Sequence, residues 1–108
     1  MFGRMMTQAS TALALAALGH DTRLGIFRLL VRAGHDGMNV GDIGQHLGMA
    51  LSTLAHHLGT LVEAGLVTQE RQGRLILNRV DYDVMNQTLA FLTAECCVGV
   101  KLTQEDAA

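Results

Sequence analysis

Leucine recurs at steps of three and four residues along the middle of the chain, at Leu51, Leu54, Leu58 and Leu61. Residues at this spacing share one side of an α-helix, so the pattern predicts an amphipathic helix with a buried leucine stripe. Polar side chains occupy the opposite side of that helix: Ser52, Thr53, His56, Thr60 and Glu63, with His57 nearer the edge. A second short helix is predicted just before it, across a glycine turn. Two short helices joined in this way are typical of a helix-turn-helix, here over about residues 40–64.

The remaining pattern predicts three further helices and a hairpin. A stretch rich in Ala and Leu favours a first helix over about 7–18, and Asp21 begins a second one that ends at Gly34. Two strand-like segments lie within about 66–80, separated by Gln72-Gly73, whose glycine permits the positive φ of a tight hairpin. A last helix is predicted over about 81–97. This order predicts a mainly α protein with a small β-hairpin, a winged helix-turn-helix of five helices with the wing between helices 4 and 5.

Length and composition restrict the class of protein. A chain of 108 residues predicts a single domain over 1–108, and 49% hydrophobic content with only 4% aromatic residues predicts an aliphatic interior. The sequence has no uninterrupted run of 18 apolar residues, and its first 19 residues lack the pattern of an export signal. The two adjacent cysteines fit a reducing compartment. We therefore expect a cytoplasmic protein that does not associate with membranes.

The helix-turn-helix predicts double-stranded DNA as the partner. Hydroxyls and imidazoles on the free side of the fourth helix can reach base edges or phosphates in a major groove, which makes these residues DNA-binding candidates: Ser52, Thr53, His56, His57 and Thr60. Arg71, Arg74 and Arg79 gather in the hairpin, and Arg71 and Arg74 flank its tip, where they can contact backbone or a minor groove. The net charge of −2 opposes phosphate binding, but the acidic residues concentrate in the C-terminal part.

Four blocks of the sequence resemble the ArsR/SmtB family of winged helix-turn-helix repressors: residues 18–30, 52–58, 63–67 and 71–74. Asp21 stands where the family often has proline. Ala50 and Leu51 replace polar residues, which removes an expected helix cap. The resemblance implies a homodimer in which the helices at about 7–18 and 81–97 pack across a two-fold axis. It also implies repression at an imperfect palindrome, with release of the DNA when an inducer binds.

The pair Cys96-Cys97 is the candidate inducer site. An arsenite-responsive subgroup of the family carries a segment similar to residues 91–99. The resemblance therefore implies that both thiols bind trivalent arsenic or antimony. It implies no resident cofactor. The third cysteine of that subgroup is missing here, where Lys101-Leu102-Thr103 stands. Two other interpretations remain open. The pair can pack in the protein interior without sensing anything, or it can respond to oxidation or persulfide through a link across the dimer axis.

Other functions fit the sequence less well. Zinc is disfavoured because Asn39-Val40-Gly41 replaces the family's Cys-x-Cys and because no histidine follows His57. Ser52 with His56 and His57 lacks an orienting carboxylate and an oxyanion site, so we do not expect an enzyme. A winged-helix adaptor that binds protein is the more distant alternative. Such an adaptor would carry leucine or aromatic anchors where this helix carries hydroxyls and imidazoles.

Overall fold

The computed structural model describes residues 5–102, and within them the chain forms five α-helices and a small antiparallel sheet. The helices are α1 (Gln8–Leu18), α2 (Asp21–Ala33), α3 (Val40–Leu47), α4 (Leu51–Glu63) and α5 (Tyr82–Thr93). The strands are β1 (Met38–Asn39), β2 (Val67–Gln72) and β3 (Leu75–Val80), and a 3₁₀ turn covers Gly34–Asp36. The predicted fold class is confirmed, since the β2–β3 hairpin, called the wing below, lies between α4 and α5.

Side chains cap four of the five helices. The first free N–H groups of α1, α2, α3 and α5 are bound by the residues that precede these helices: Thr7, His20, Asn39 and Asp81. Helix α4 differs because Ala50 precedes it and no side chain caps its first turn. The polar cap that is missing from the sequence at Ala50 is therefore not replaced by a side chain from elsewhere.

The core lies where α2, α3 and α4 meet the first residues of the wing. Its largest fully buried apolar side chains are Ile26, Leu30, Ile43, Leu54, Leu58, Leu61, Leu66 and Val67. The predicted leucine stripe of α4 contributes three of these, but Leu51 is 57% exposed. Leu51 is the first residue of α4, and helical side chains lean towards the N-terminus. Leu51 therefore lies over the turn beside Gly44 of α3 instead of over the core.

The sheet has β3 in its centre, with strand order β1-β3-β2. Strand β2 pairs with β3 from Val67 opposite Val80 to Gln72 opposite Leu75, and Gly73 in the connection has a φ of 63°. Strand β1 pairs with the other edge of β3, with Met38 opposite Asn78. The sequence pattern did not predict β1, because two residues are too few to show alternation. Helix α3 begins immediately after β1, so the sheet continues into the helix-turn-helix without a loop.

The last helix is shorter than predicted. It ends at Thr93 and not near Cys97, because the backbone then changes to bonds that span three residues: the Cys96 N–H donates to the Thr93 carbonyl at 2.9 Å, and the Val98 N–H to the Glu95 carbonyl at 3.3 Å. Cys97 has a φ of 67°, which a helix does not allow. Both cysteines therefore lie in a turn after α5. Among the described residues, none of the helices has the length and apolar character needed to cross a membrane.

Candidate nucleic-acid interface

The outer side of α4 is polar and exposed in this protomer. Ser52, Thr53 and His56, called the reader face below, are all exposed, while the leucines on the other side of the helix hold it against the core. Thr60 is half-buried, and its hydroxyl donates to the His56 carbonyl at 3.3 Å. The reader face thus presents two hydroxyls and one imidazole on a helix that the core fixes in place. These are groups that hydrogen-bond to base edges and phosphates.

His57 lies at the edge of α4, towards the start of α2. Its ring centroid is 5.0 Å from that of His20 and 5.5 Å from that of His56. Its Nδ1 is buried and has no hydrogen-bond partner in the described part of the chain. Burial lowers the pKa of His57, and the neighbouring His20, His56 and Arg23 lower it further. These contacts therefore favour the neutral form of His57, which lies beside the N-terminal cap of α2 and away from the middle of the reader face.

Two of the three arginines in the wing are exposed and unpaired. Arg71 lies near the end of β2 and Arg74 in the turn, and neither forms an ion pair with any residue from 5 to 102. Arg79 differs from both. It pairs with Glu70, and its Nε donates to the His35 carbonyl at 2.7 Å. The tip of the wing thus carries two free guanidinium groups, while the third is bound to the body of the protein.

The thiols of Cys96 and Cys97 are exposed and close together. Their sulfur atoms are 2.9 Å apart, and Cys96 borders a surface pocket that Gln8, Phe91 and Glu95 help to line. The contact with Cys97 raises the pKa of the Cys96 thiol, and desolvation adds to this rise. Within residues 5–102, no cluster of three or more His, Cys, Asp or Glu side chains is arranged to hold a metal ion. The pair alone can offer a soft ion two sulfur ligands.

Helices α1 and α5 pack together but leave apolar side chains uncovered. The most exposed among them are Leu13 on α1 and Leu89 and Leu92 on α5, with Phe91 and Leu15 partly exposed. Only Thr88 of α5 is fully buried. An apolar surface on two adjacent helices is typical of a face that another protein chain covers. These are the two helices for which the sequence predicts dimer contacts.

Two polar residues with structural roles were missed by sequence reasoning. Asn78 is fully buried in β3, and its side chain bonds to Gln69 and to the Met38 carbonyl. Arg79 was grouped with the wing arginines, although it faces the body. An asparagine amid strand-like apolar residues was the available signal for Asn78, since such a residue is disfavoured in a strand unless its hydrogen bonds are satisfied.

Comparison with known proteins adds family information to this geometry. A family model described as a helix-turn-helix domain matches residues 18–70. A Halobacterium salinarum protein, provisionally named an arsenical resistance operon repressor, is 37% identical over 59 residues. That match covers 55% of this chain and 49% of the relative, so the chain spans about half of the relative's length.

Solved structures resemble the whole fold. An ArsR-like transcriptional regulator from Rhodococcus sp. RHA1 has a TM-score of 0.70 and 29% identity, with 80% of this chain and 78% of that chain covered. The NMR structure of a homodimeric winged helix-turn-helix DNA-binding domain from Mycobacterium bovis, described as a possible ArsR-family regulator, has a TM-score of 0.66 and 29% identity. The match covers 88% of this chain and 91% of the Mycobacterium bovis chain. The sequence and the fold are thus both similar to those of transcriptional regulators.

Proposed function

We propose that this chain, which is similar in sequence and in fold to ArsR-family winged helix-turn-helix regulators, is a homodimeric transcriptional repressor that binds an imperfect palindrome in double-stranded DNA. The observation that carries the proposal is the exposed polar reader face on a helix anchored by buried leucines, with two unpaired arginines at the tip of the adjacent wing. A repressor of this kind acts on the chromosome, so we place it in the cytoplasm.

The reader face and the tip of the wing have different roles in this proposal. Ser52, Thr53 and His56 enter the major groove and read base edges, with Thr60 and His57 at the margin of the contact. Arg71 and Arg74 bind the phosphate backbone or a neighbouring minor groove, where they supply affinity that does not depend on sequence. The local charge at the tip is positive despite the negative net charge, because Glu70 is paired with Arg79 and the charges of Arg71 and Arg74 are exposed.

The dimer follows from the exposed apolar side chains of α1 and α5. A second copy that covers Leu13, Leu89 and Leu92 removes apolar surface from water, which is favourable at roughly 25 cal/mol per Å². A two-fold axis through these helices places two reader helices on the same side of the dimer. Successive major grooves about 34 Å apart can then accept one reader helix each, which requires a palindromic site.

A titration with the promoter upstream of the protein's own gene tests this proposal. We expect retardation of that duplex and weaker binding to a scrambled duplex of the same length and composition. Equal affinity for both duplexes at physiological salt would contradict sequence-specific repression. Absence of binding to either duplex would favour the adaptor interpretation instead.

We further propose that Cys96 and Cys97 form the inducer site for trivalent arsenic or antimony. Arsenous acid can exchange two of its hydroxyl groups for the two thiols, and each thiol proton leaves with a hydroxyl as water. The third hydroxyl stays on the arsenic, so two sulfur ligands suffice for this product. The proximity of the two sulfur atoms, 2.9 Å apart, supports this proposal, because both can reach one arsenic atom. Sensing by oxidation or persulfide is the alternative that the following experiment separates from it.

The inducer site is tested by adding arsenite to the complex of reduced protein and promoter duplex. We expect release of the DNA by the wild-type protein and loss of this response in Cys96→Ser and Cys97→Ser, both of which should still bind DNA because the thiols are exposed. If saturating arsenite and antimonite leave the wild-type affinity unchanged, this site is wrong and the repressor does not sense a metalloid.

A further inference from the structure

The wing is attached to the helix-turn-helix by a network of polar contacts around Asn78 and Arg79. Strand β3 carries both residues, and its inner edge pairs with β1, which leads directly into α3. From Asn78 and Arg79, bonds extend to β2 on one side and to the 3₁₀ turn and β1 on the other. We propose that Arg79, supported by Asn78, is a positioning residue for DNA binding, which holds the wing at the angle where Arg71 and Arg74 reach the duplex together with the reader face. This inference rests on the proposed function.

Asn78 makes the buried half of the network. Its side chain has no solvent exposure, and its Oδ1 accepts from the Gln69 Nε2 at 2.8 Å. Its Nδ2 donates to the carbonyls of Met38 at 3.1 Å and Ile76 at 3.2 Å. One side chain thus bonds to both neighbouring strands of the sheet. A buried amide with satisfied bonds to both neighbouring strands fixes their position relative to β3 more narrowly than apolar packing does.

Arg79 forms the outer half of the network. Its Nη1 pairs with the Glu70 carboxylate of β2, and its Nε donates to the His35 carbonyl in the turn that follows α2. The Glu70 carboxylate is held in its charged form, because the hydrogen bond and the charge of Arg79 lower its pKa. A single guanidinium therefore links the wing to the turn after α2.

Gly37 shows how closely the segment before β1 approaches Asn78 and Arg79 of β3. A Cβ at Gly37 would overlap the Asn78 carbonyl oxygen and would lie 2.8 Å from the Arg79 Cγ. Its φ of 67° adds a second requirement for glycine. The segment that leads into β1 and α3 thus lies directly against the two residues of the network.

A double-mutant cycle tests this role. Arg79→Met removes the guanidinium but keeps the length of the side chain, and Arg71→Gln with Arg74→Gln removes the contacts at the tip. Affinity for the fluorescein-labelled promoter duplex is measured for wild type, both variants and their combination, between about 50 and 200 mM salt. We expect Arg79→Met to lower the affinity at least severalfold and to reduce the salt slope by about 1 per lost phosphate contact. In the combined variant, Arg79→Met should cause no further loss.

Arg28→Met is the matched control, because it removes one exposed arginine from α2, outside the wing and the network. Glu70→Gln is a milder second variant, expected to show the same non-additivity with a smaller loss. Each variant is compared at equal folded fraction, measured by thermal unfolding. Additive losses, an unchanged salt slope, or equal effects of Arg79→Met and Arg28→Met would overturn the positioning role while leaving the repressor proposal intact. Absence of DNA binding by the wild-type protein would overturn both.

Discussion

Individual side chains of the same type have different environments in this protein. Among residues 5–102, Arg71 and Arg74 of the wing form no ion pair, whereas Arg79 is bound to Glu70 and the His35 carbonyl. Of the adjacent histidines of α4, His56 is exposed, and His57 faces His20 with a buried nitrogen that has no partner in the same range. The function of each residue therefore follows from the face on which it lies, and composition alone does not reveal it.

The stability of the protein should depend on pH through His57. Its pKa in the folded protein is lowered from 6.5, so the unfolded chain binds more protons in the interval between the two values. The contribution of His57 to the free energy of unfolding is therefore complete above pH 6.5. Below pH 6.5 the free energy of unfolding falls, and the fall ends once His57 is protonated in the folded protein as well. Urea unfolding between about pH 8 and pH 5 measures this dependence. We expect a weaker dependence in His57→Gln and an unaltered one in the control His46→Gln. Parallel curves for all three proteins would contradict the assignment.

Base preference should reside in the reader face. Thr53→Ala and His56→Ala each remove one polar group, and a lost base contact reduces discrimination by about 1–3 kcal/mol. Binding selection from a randomised duplex library should give an altered consensus for these variants. Thr68→Ala, which removes an exposed threonine from β2, is the control and should retain the wild-type consensus. An unchanged consensus for both reader variants would remove Thr53 and His56 from the proposed contact.

At the scale of elements, α3 and α4 form one unit with the wing. The unit is continuous because β1 leads into α3 without a loop and because Leu66 and Val67, at the start of the wing, belong to the core. Helix α4 has no side-chain cap, so its position depends on the buried leucines and not on its own N-terminus. Packing against the core therefore determines where the reader face lies.

Gly37→Ala should destabilise this unit. The expected loss is more than about 2 kcal/mol, because a left-handed backbone with a side chain costs about 1–2 kcal/mol and overlap with the Asn78 carbonyl adds to it. Gly34→Ala is a close control. Gly34 has a φ of 72°, but a Cβ there meets nothing within 4 Å. Urea unfolding should show a larger loss for Gly37→Ala than for Gly34→Ala, and equal losses would contradict the close approach of the wing.

The elements could be predicted better than their ends and contacts. The leucine spacing of α4 and the glycine of the hairpin were sufficient to predict the winged helix-turn-helix. The predicted end of α5 is too late, because no glycine or proline lies between Asp81 and Gly99 and the periodicity continues through Cys96. The pairing of Arg79 was not predicted, because it depends on which side of β3 faces the His35 carbonyl. That is a property of sheet register and of a turn distant in sequence.

At the scale of the whole molecule, the protomer has one well-buried core and one uncovered apolar side. The core joins the helix-turn-helix to the wing, while Leu13 of α1 and Leu89 and Leu92 of α5 form an exposed apolar surface apart from it. The proposed DNA-binding groups and the proposed dimer contacts are thus on different elements. Substitutions at the dimer face should leave the protomer folded and affect its assembly.

Leu92→Glu should weaken the dimer. Leu92 is 58% exposed in the protomer, so a carboxylate there is solvated in the monomer but buried when a second copy covers α5. We expect an increase of at least about tenfold in the dimer dissociation constant, or about 1.4 kcal/mol, by analytical ultracentrifugation. Leu75→Glu, at a leucine of the wing that is 55% exposed, is the matched control and should remain dimeric. Dissociation of both variants, or of neither, would contradict the assigned face.

The direct passage from β1 into α3 has a consequence for how an inducer could act. In the protomer, β1 leads into α3 with no intervening loop and Asn78 bonds to the Met38 carbonyl of β1, so the sheet is directly connected to the first helix of the helix-turn-helix. We therefore expect an inducer at the end of α5 to act between the subunits of the proposed dimer and not by folding the wing back within one subunit. Rotation of one half against the other would shift the two reader helices out of the helical repeat of the operator.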